Sequence, residues 1–557
     1  MTRKTSFAGI FAVLLVAALA LTVTLTSTGN TSAGPARPGS GTPQRPTAPT
    51  GSPAWNALLA GARNLGASRA ASADVLVTLH VPRRPAAVLR WAARHRLRAQ
   101  WFPGQPTVLL TARPAVLGRA LGVRIDDFRL PGYPVFYASA GTARIPVELP
   151  GEVAALGRIT SFGQMKPESG LLAAEGVPVG GLSPDGFADA YDIRPLWDRG
   201  DLGQGETIVF FEVDGYEPSD LAAYASRFGL PPFANPLPHL GPLTLKPAGE
   251  SNLDLEVAHG IAPDAKLVYV NLNSFGGKNA SPAAQFQQAF STVNARYPGA
   301  IWSVSLGQCE DIFSAADLTA ANNAVQLAGQ RGTSAFVASG DSGGQECLGV
   351  HQEDTRIPPE GISFPADLPQ VTSVGGTTLA LTTAGRYQGE TTWTESLLSQ
   401  GSTGGQSVFF TAPSWQRAPG VDNSSSNGST CGQPSGSYCR EVPDVSADGA
   451  QETGAAIRSM GKWITAGGTS LATPEWAAMT ALIDQYLRSA GRKPAGFANP
   501  LLYQLDRSSP RYRPFHDVTV GSNDYYPAGP GYDMVTGLGT PDAWNLARDL
   551  APLTGRS

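Results

Sequence analysis

The chain has 557 residues, of which only 15% are charged, with 64 glycines and 46 prolines. Such a length holds about three to four domain-sized units, and the composition excludes a coiled coil or an acidic disordered chain in favour of a loop-rich globular protein. A net charge of −4 selects no partner by itself.

Arg3 and Lys4 precede an uncharged run from Ser6 to Leu25, which is followed by Ser-, Thr- and Gly-rich sequence. Residues 1–33 therefore read as a secretory signal, with an uncleaved membrane anchor as the alternative. Residues 34–52 read as a disordered spacer. No later segment is apolar enough to span a bilayer. Export makes the chain extracellular and its four cysteines candidates for disulfides. Cys431 and Cys439 sit eight apart in a Gly/Ser loop, where a local bridge is natural and would leave Cys309 with Cys347; other pairings stay open. No C-x-x-C occurs, which argues against zinc or thioredoxin-type chemistry.

Residues 53–165 alternate strand-like runs (75–81, 107–112 and 134–139) with helical ones, predicting a small α+β module. It carries 14 arginines against 5 acidic residues, whereas the chain beyond it has 23 basic and 40 acidic residues. Opposite net charges favour docking, so the module reads as a propeptide on an acidic enzyme, released as carboxylates protonate. The arginines are dispersed along helices without base-stacking motifs, which argues against nucleic acid. Residues 166–180 are assigned as a processing linker and 181–557 as the catalytic domain.

From about residue 180, short apolar runs (ETIVFFEVDG, AKLVYVNLN, IWSVSLG, SAFVASGD, VTSVGGTTL) lack alternation, as strands buried on both faces do. Helical stretches such as 282–297 separate them. The expected fold is α/β, a doubly wound parallel sheet. Glu250 and Asp254 lie four apart, hence on one helix face and about 6 Å apart along the axis. Two carboxylates held that close cannot ionise independently. Asp341 ends a strand-like run, and an acid at the carboxyl end of a parallel strand is well placed for a site.

The string GGTSLATPEWAAM places Ser470 after a glycine pair, at the mouth of a helical pattern containing Pro474. Backbone N–H groups there favour a developing oxyanion. An isolated G-T-S is usually an N-cap, but G-T-S-x-A-x-P resembles the nucleophile signature of subtilisin-like serine peptidases. Asp214, His259 and Ser470 stand in the order those enzymes use, yet only His-Gly matches the context of their histidine.

Together these motifs resemble the sedolisins, or serine-carboxyl peptidases, and in particular their kumamolisin-like members. VTSVGGTTL, EVPDVSADG and the segment around Trp415-Gln416 also look like family sequence. The resemblance implies a subtilisin-like fold and an acid-acting serine endopeptidase made as a zymogen. Ser470 would be the nucleophile, Glu250 the general base, Asp254 its partner and Asp341 the oxyanion acid. In kumamolisin-like members a Trp after the strand Ser-x-Ser joins a relay with a further Glu. Here Leu306 holds that place, so the extended network is left open although Glu212 matches the relay glutamate.

Near the C-terminus, Asp517, Asp524 and Asp533 lie among glycines, a hard-oxygen setting that suits Ca²⁺. The resemblance implies calcium held by the Asp517 and Asp533 side chains and the carbonyls of Val518, Gly529 and Gly531. His516 is a soft choice for that ion. The expected partners are polypeptide substrates and the chain's own propeptide, with the enzyme a monomer. The alternatives are a neutral subtilisin-like protease using His259, or an inactive secreted binding protein of the same fold.

Overall fold

The apolar runs without alternation form one central sheet of eight strands in a computed structural model. It describes residues 53–172, 181–276, 280–348, 350, 360–395, 400–417, 421, 428, 430–434, 436–508 and 510–556. The expected signal and spacer, and most of the C-terminal half of the linker, lie outside the described residues. Among the described residues no helix is long and apolar enough to cross a membrane.

Across the sheet the strands run His239–Leu240, Lys266–Asn271, Thr207–Glu212, Ile301–Val304, Ala335–Ala338, Thr372–Leu381 and Tyr387–Thr392. Val445–Asp448 also pairs with Thr372–Leu381. All of these pairings are parallel except that of Tyr387–Thr392.

The pattern of burial explains the missing alternation. Ile208 and Phe210 point into one core with Leu253, Val257 and Trp476. Val209 and Phe211, one residue out of phase, point into a second core with Phe290 and Trp302. Side chains alternate across a strand, so a strand with helices on both faces must be apolar at every position. The helices Glu250–Ile261 and Thr469–Ser489 supply the first cover, and Pro282–Arg296 and Ala315–Gly329 the second. This is the doubly wound, subtilisin-like fold.

Residues 53–165 build two antiparallel sheets of their own. One comprises Arg98–Trp101, Thr107–Ala112, Ala73–Leu79 and Val153–Leu156; the other comprises Arg63–Ala67, Ile125–Arg129 and Phe136–Ser139. Val75 and Val77 pack with Trp91 and Leu117 in a local core. Leu76 and Leu109 turn the other way, into the core that holds Phe286 and Phe290. Thr50–Ser557 accordingly forms one compact unit.

The seam is polar at defined points. Asp74 accepts the Ser281 N–H that opens the Pro282–Arg296 helix, at 3.2 and 3.3 Å. The Gln105 amide donates to Ser291 at 3.0 Å. The Arg158 N–H donates to Asp317 at 3.0 Å, while its guanidinium donates to the Ile312 carbonyl and lies 4.5 Å over the Trp55 ring. Two disulfides, Cys309–Cys347 and Cys431–Cys439, close loops in the larger part.

Burial raises the Asp74 carboxyl to about 7, overriding its bonds from Ser281. A folded-state value above the unfolded one means that the folded chain binds the extra proton. The associated stability is therefore full at low pH and is lost as pH rises through about 7. In a precursor that cannot cut itself, Asp74→Asn should flatten part of the decline in melting temperature between about pH 4 and pH 7. Parallel decline in both proteins, followed by calorimetry across that range, would rule this out.

Candidate active site

Three strand ends deliver the chemistry to one edge of the sheet. Glu212 is the last residue of Thr207–Glu212, Ser305 follows Ile301–Val304, and Asp341 follows Ala335–Ala338. In a parallel sheet the carboxyl ends of the strands lie on one side, where ligands are bound. Two helices point their first turns at the same edge. One begins at Glu250 after Gly249, whose φ of 117° is left-handed, and the other at Thr469 after Gly468, whose φ of 101° is as well. Both turns rely on glycine's freedom at positive φ.

Ser470 is fully buried, and its hydroxyl donates to the Ser305 carbonyl at 3.2 Å. Pro474 has no N–H to give to the Ser470 carbonyl four residues back. That carbonyl is left for the Ser305 hydroxyl, 3.5 Å away. The same Ser305 hydroxyl donates to Asp254 Oδ1 at 2.8 Å. One serine thus ties the Ser470 turn to the helix that carries Glu250 and Asp254.

Glu250 and Asp254 are both buried on one helix face. Burial and the neighbouring Asp254 charge push Glu250 well above the usual carboxylate range. The Ser169 and Ser470 hydroxyls lie close enough to favour its ionised form, although neither Glu250 oxygen has a fully formed hydrogen bond. Asp254 is likewise raised by burial, and Glu212 faces it. Asp254 Oδ2 and both Glu212 oxygens lack a donor. Two acceptor-only groups can bond only if a proton sits between them. Glu212, whose place in the network the sequence left open, therefore stands against Asp254, and the carboxyl cluster extends to three groups.

Across the site, Asp341 Oδ1 accepts from the Thr469 N–H at 2.8 Å and from the Thr469 hydroxyl at 2.9 Å. Burial raises this carboxyl to about 8 against those bonds. The structure thus brings Glu250, Asp254, Asp341 and Ser470 together. His259 goes elsewhere. It sits nine residues beyond Glu250, about 13 Å up the helix, bonds to the Pro231 carbonyl at 2.7 Å and stacks on Phe233 at 4.0 Å. Asp214 is occupied in holding the helix start, accepting from Ala248, the Ser251 N–H and the Ser251 hydroxyl at 2.8, 3.0 and 2.6 Å.

The site also holds a strand of the chain itself. Lys166–Pro167 pairs antiparallel with Leu306–Cys309, and Gly170–Leu172 with Lys462–Gly467. Between them, Glu168 donates its N–H to the Ser305 carbonyl at 3.2 Å and accepts the Ser470 N–H on its own carbonyl at 2.9 Å. A side chain on Gly468 would strike both that carbonyl oxygen and Asp341 Oδ2. Glycine there leaves room for the Glu168 backbone to lie against the Ser470 turn.

Sequence reasoning missed Ser305, Thr469 and the Glu168–Ser169 segment. The position of Ser305, just past a buried strand in IWSVSLG, was the available signal for the first. The segment had none, because only its strand partners reveal it.

At the C-terminal loop, Asp517 Oδ2 accepts the Gly531 N–H and Asp533 Oδ2 accepts the Gly529 N–H, each at 3.0 Å. Asp533 also takes the Val535 and Thr536 N–H groups at 2.9 and 2.8 Å. Among the described residues no group of three or more His, Cys, Asp or Glu could hold a metal. The loop offers two carboxylates and glycine-rich backbone, a hard-oxygen donor set that fits calcium. His516 instead stacks on Tyr387 at 3.9 Å.

A serine at a helix mouth, backed by carboxyls at the carboxyl edge of a doubly wound sheet, defines a serine-type peptidase of the subtilisin fold. The Subtilase family profile matches residues 246–495. Kumamolisin of Bacillus sp. (strain MN-32) is 31% identical over 475 residues, covering 80% of this chain and 79% of that protein. Sedolisin of Pseudomonas sp. (strain 101) is 31% identical over 440 residues, covering 74% and 69%. The crystal structure of Pseudomonas sedolisin with two molecules of pseudo-iodotyrostatin superposes with a TM-score of 0.55 at 29% identity, covering 68% of this chain and 99% of that one. The chain belongs to the sedolisin family of serine-carboxyl peptidases.

Ser305→Ala should remove the hydroxyl that joins Asp254 to the Ser470 turn. A buried hydrogen bond to a charged group is worth about 1.5–3 kcal/mol, so kcat should fall about ten- to hundredfold with KM little changed. Steady-state kinetics on a peptide substrate tests this, with a melting curve to confirm folding. A kcat within twofold of the parent would exclude the role.

Proposed function

We propose that the protein is a secreted, acid-acting endopeptidase made as a zymogen, with residues 53–165 as its propeptide and polypeptides as its substrates. The observation that carries this reading is the convergence of Ser470, Glu250, Asp254 and Asp341 around a peptide carbonyl resting on the Ser470 N–H. The chain crosses the site and continues on both sides, which suits cleavage of an internal bond.

In this mechanism Ser470 Oγ attacks the scissile carbonyl and its proton passes to Glu250. Glu250 returns the proton to the leaving amine, and water then releases the acyl group by the same route. Asp254 and Glu212 stand beside Glu250 in a carboxyl chain whose members share protons and titrate as a unit. The Ser470 N–H and a protonated Asp341 donate to the oxyanion; an ionised Asp341 would repel it. A histidine base would lose its function below about pH 6, whereas a carboxylate base remains competent there.

Ser470→Ala and Glu250→Ala should each lower kcat by about 10⁴-fold or more, while His259→Ala should stay within a few fold. Asp341→Asn keeps a neutral donor, so it should retain more activity than Asp341→Ala and lose the fall of activity on the alkaline side. pH–rate profiles of the five variants on denatured protein decide it. Turnover that depends on His259 and not on Glu250 would favour the neutral subtilisin-like mechanism.

Asp517 and Asp533, with the carbonyls of Val518, Gly529 and Gly531, are the residues that would hold calcium. The ion would neutralise the two carboxylates and brace the loop. A ligand that binds only the native state stabilises it, by about 2.7 kcal/mol at a hundred times its Kd. Chelation or Asp517→Ala should therefore lower the melting temperature by several degrees. An unchanged melting curve in chelator, with no calcium by elemental analysis, would remove the site.

A further inference from the structure

The segment lying in the site is more than a plug, because its side chain at position 168 fills a pocket of defined chemistry. Glu168 is 6% exposed. A side chain on Gly307 would strike both Glu168 Oε1 and the Ser363 hydroxyl, so the carboxyl, Ser363 and Gly307 share one recess. Glu346 is the strongest charge acting on Glu168 there, followed by Asp341, Lys166 and Glu250. Glu346 in turn accepts from the Thr403 hydroxyl at 3.2 Å. The backbone on both sides is strand-paired, with Lys166 opposite Gly307, Pro167 opposite Leu306 and Gly170 opposite Gly467.

We propose that Glu168–Ser169 is the first bond Ser470 cuts, and that the recess formed by Gly307, Ser363 and Glu346 is a subsite for an uncharged side-chain carboxylic acid. The assignment rests on Ser470 being the nucleophile. Its observation is the Glu168 carbonyl on the Ser470 N–H at 2.9 Å, beside Asp341, with the Ser169 hydroxyl next to Glu250.

The step balances as an ordinary hydrolysis. Ser470 Oγ forms an ester with the Glu168 carbonyl carbon, and the Ser169 nitrogen leaves as an amine with the proton carried by Glu250. Water then splits the ester, freeing a carboxyl-terminal Glu168 and an amino-terminal Ser169.

The recess also sets the pH dependence. Three acids, Glu346, Asp341 and Glu250, face Glu168 against the single cation Lys166. Two carboxyls sharing a closed recess cannot both be ionised at modest cost, so Glu168 seats best when the pair holds a proton. Raising the pH then expels the side chain and withdraws the bond from the nucleophile. A glutamine at 168 has nearly the same shape and no such requirement.

The test uses purified full-length precursors: parent, Glu168→Gln and Ser470→Ala, incubated across about pH 4 to pH 7.5 and followed by N-terminal sequencing. The parent should give a product starting at Ser169, at least tenfold slower at the neutral end than at the acid end. Glu168→Gln should be cut at the same bond, with its neutral rate within a few fold of its acid rate. Processed parent enzyme should cleave peptides with Glu before the scissile bond in preference to Lys, and its Glu-to-Gln rate ratio should fall as pH rises. A first product starting elsewhere, a precursor intact at every pH, an unaltered profile in Glu168→Gln, or preference for Lys would overturn the proposal. A Ser169 product from the Ser470→Ala precursor would instead overturn the nucleophile assignment, so the two failures are distinguishable.

Discussion

The active edge of this protein is governed by the cost of burying carboxyl groups without cations. Glu212, Glu250 and Asp254 form a continuous chain inside the sheet edge, and among the described residues none of the ion pairs involves them. Desolvation disfavours their charged forms, so the chain must retain protons that exposed carboxyls would give up. Hydroxyls of Ser251, Ser305 and Thr469 supply part of the missing donors on the acids around it. The same pattern recurs away from the site. Glu475, on the Thr469–Ser489 helix, is buried with neither oxygen partnered, and burial together with Asp448 and Glu390 raises it well above its ordinary value. Groups whose folded values are raised add stability that is full at low pH and lost as pH rises through those values. Fold and site thus favour the same protonated regime.

Legibility from sequence followed the range over which each feature is determined. The central strands were readable because burial on both faces is written into each run, as in Ile208–Phe211. The Glu250–Asp254 pair was readable because helix geometry alone puts residues four apart on one face. Asp341 was marked by its place at a strand end. Asp214, His259 and Ser470 also stood in a plausible order, but order carries no distance. The helix that buries Glu250 at its mouth carries His259 over two turns away, where Phe233 and Pro231 hold it. Ser305 needed the knowledge that its strand ends between two helix mouths. Glu168 and Ser169 needed more, because their position depends on pairing with strands about 140 and 300 residues further along the chain.

Charge counting and local contacts give opposite answers about the N-terminal module. Its excess of arginine over an acidic partner suggests attraction that fades as carboxylates protonate. At the seam itself, however, the acids are sheltered. Asp74, Asp311 and Asp317 are all raised by burial, and Asp74 and Asp317 repel each other. Raised values mean that these buried acids hold protons that exposed carboxyls would release, so protonation costs these contacts little. Arg158, set against Asp311 and Asp317, loses charge partners as they protonate, but it keeps its bond to the Ile312 carbonyl and its seat on Trp55. Most of the remaining arginines are exposed, where salt screens their attraction to distant acids. Acid therefore does not loosen this module at its closest contacts. What ties the module to the rest is also covalent: the strand between Met165 and Leu172 runs from it past Ser470 and pairs with Leu306–Cys309 and Lys462–Gly467.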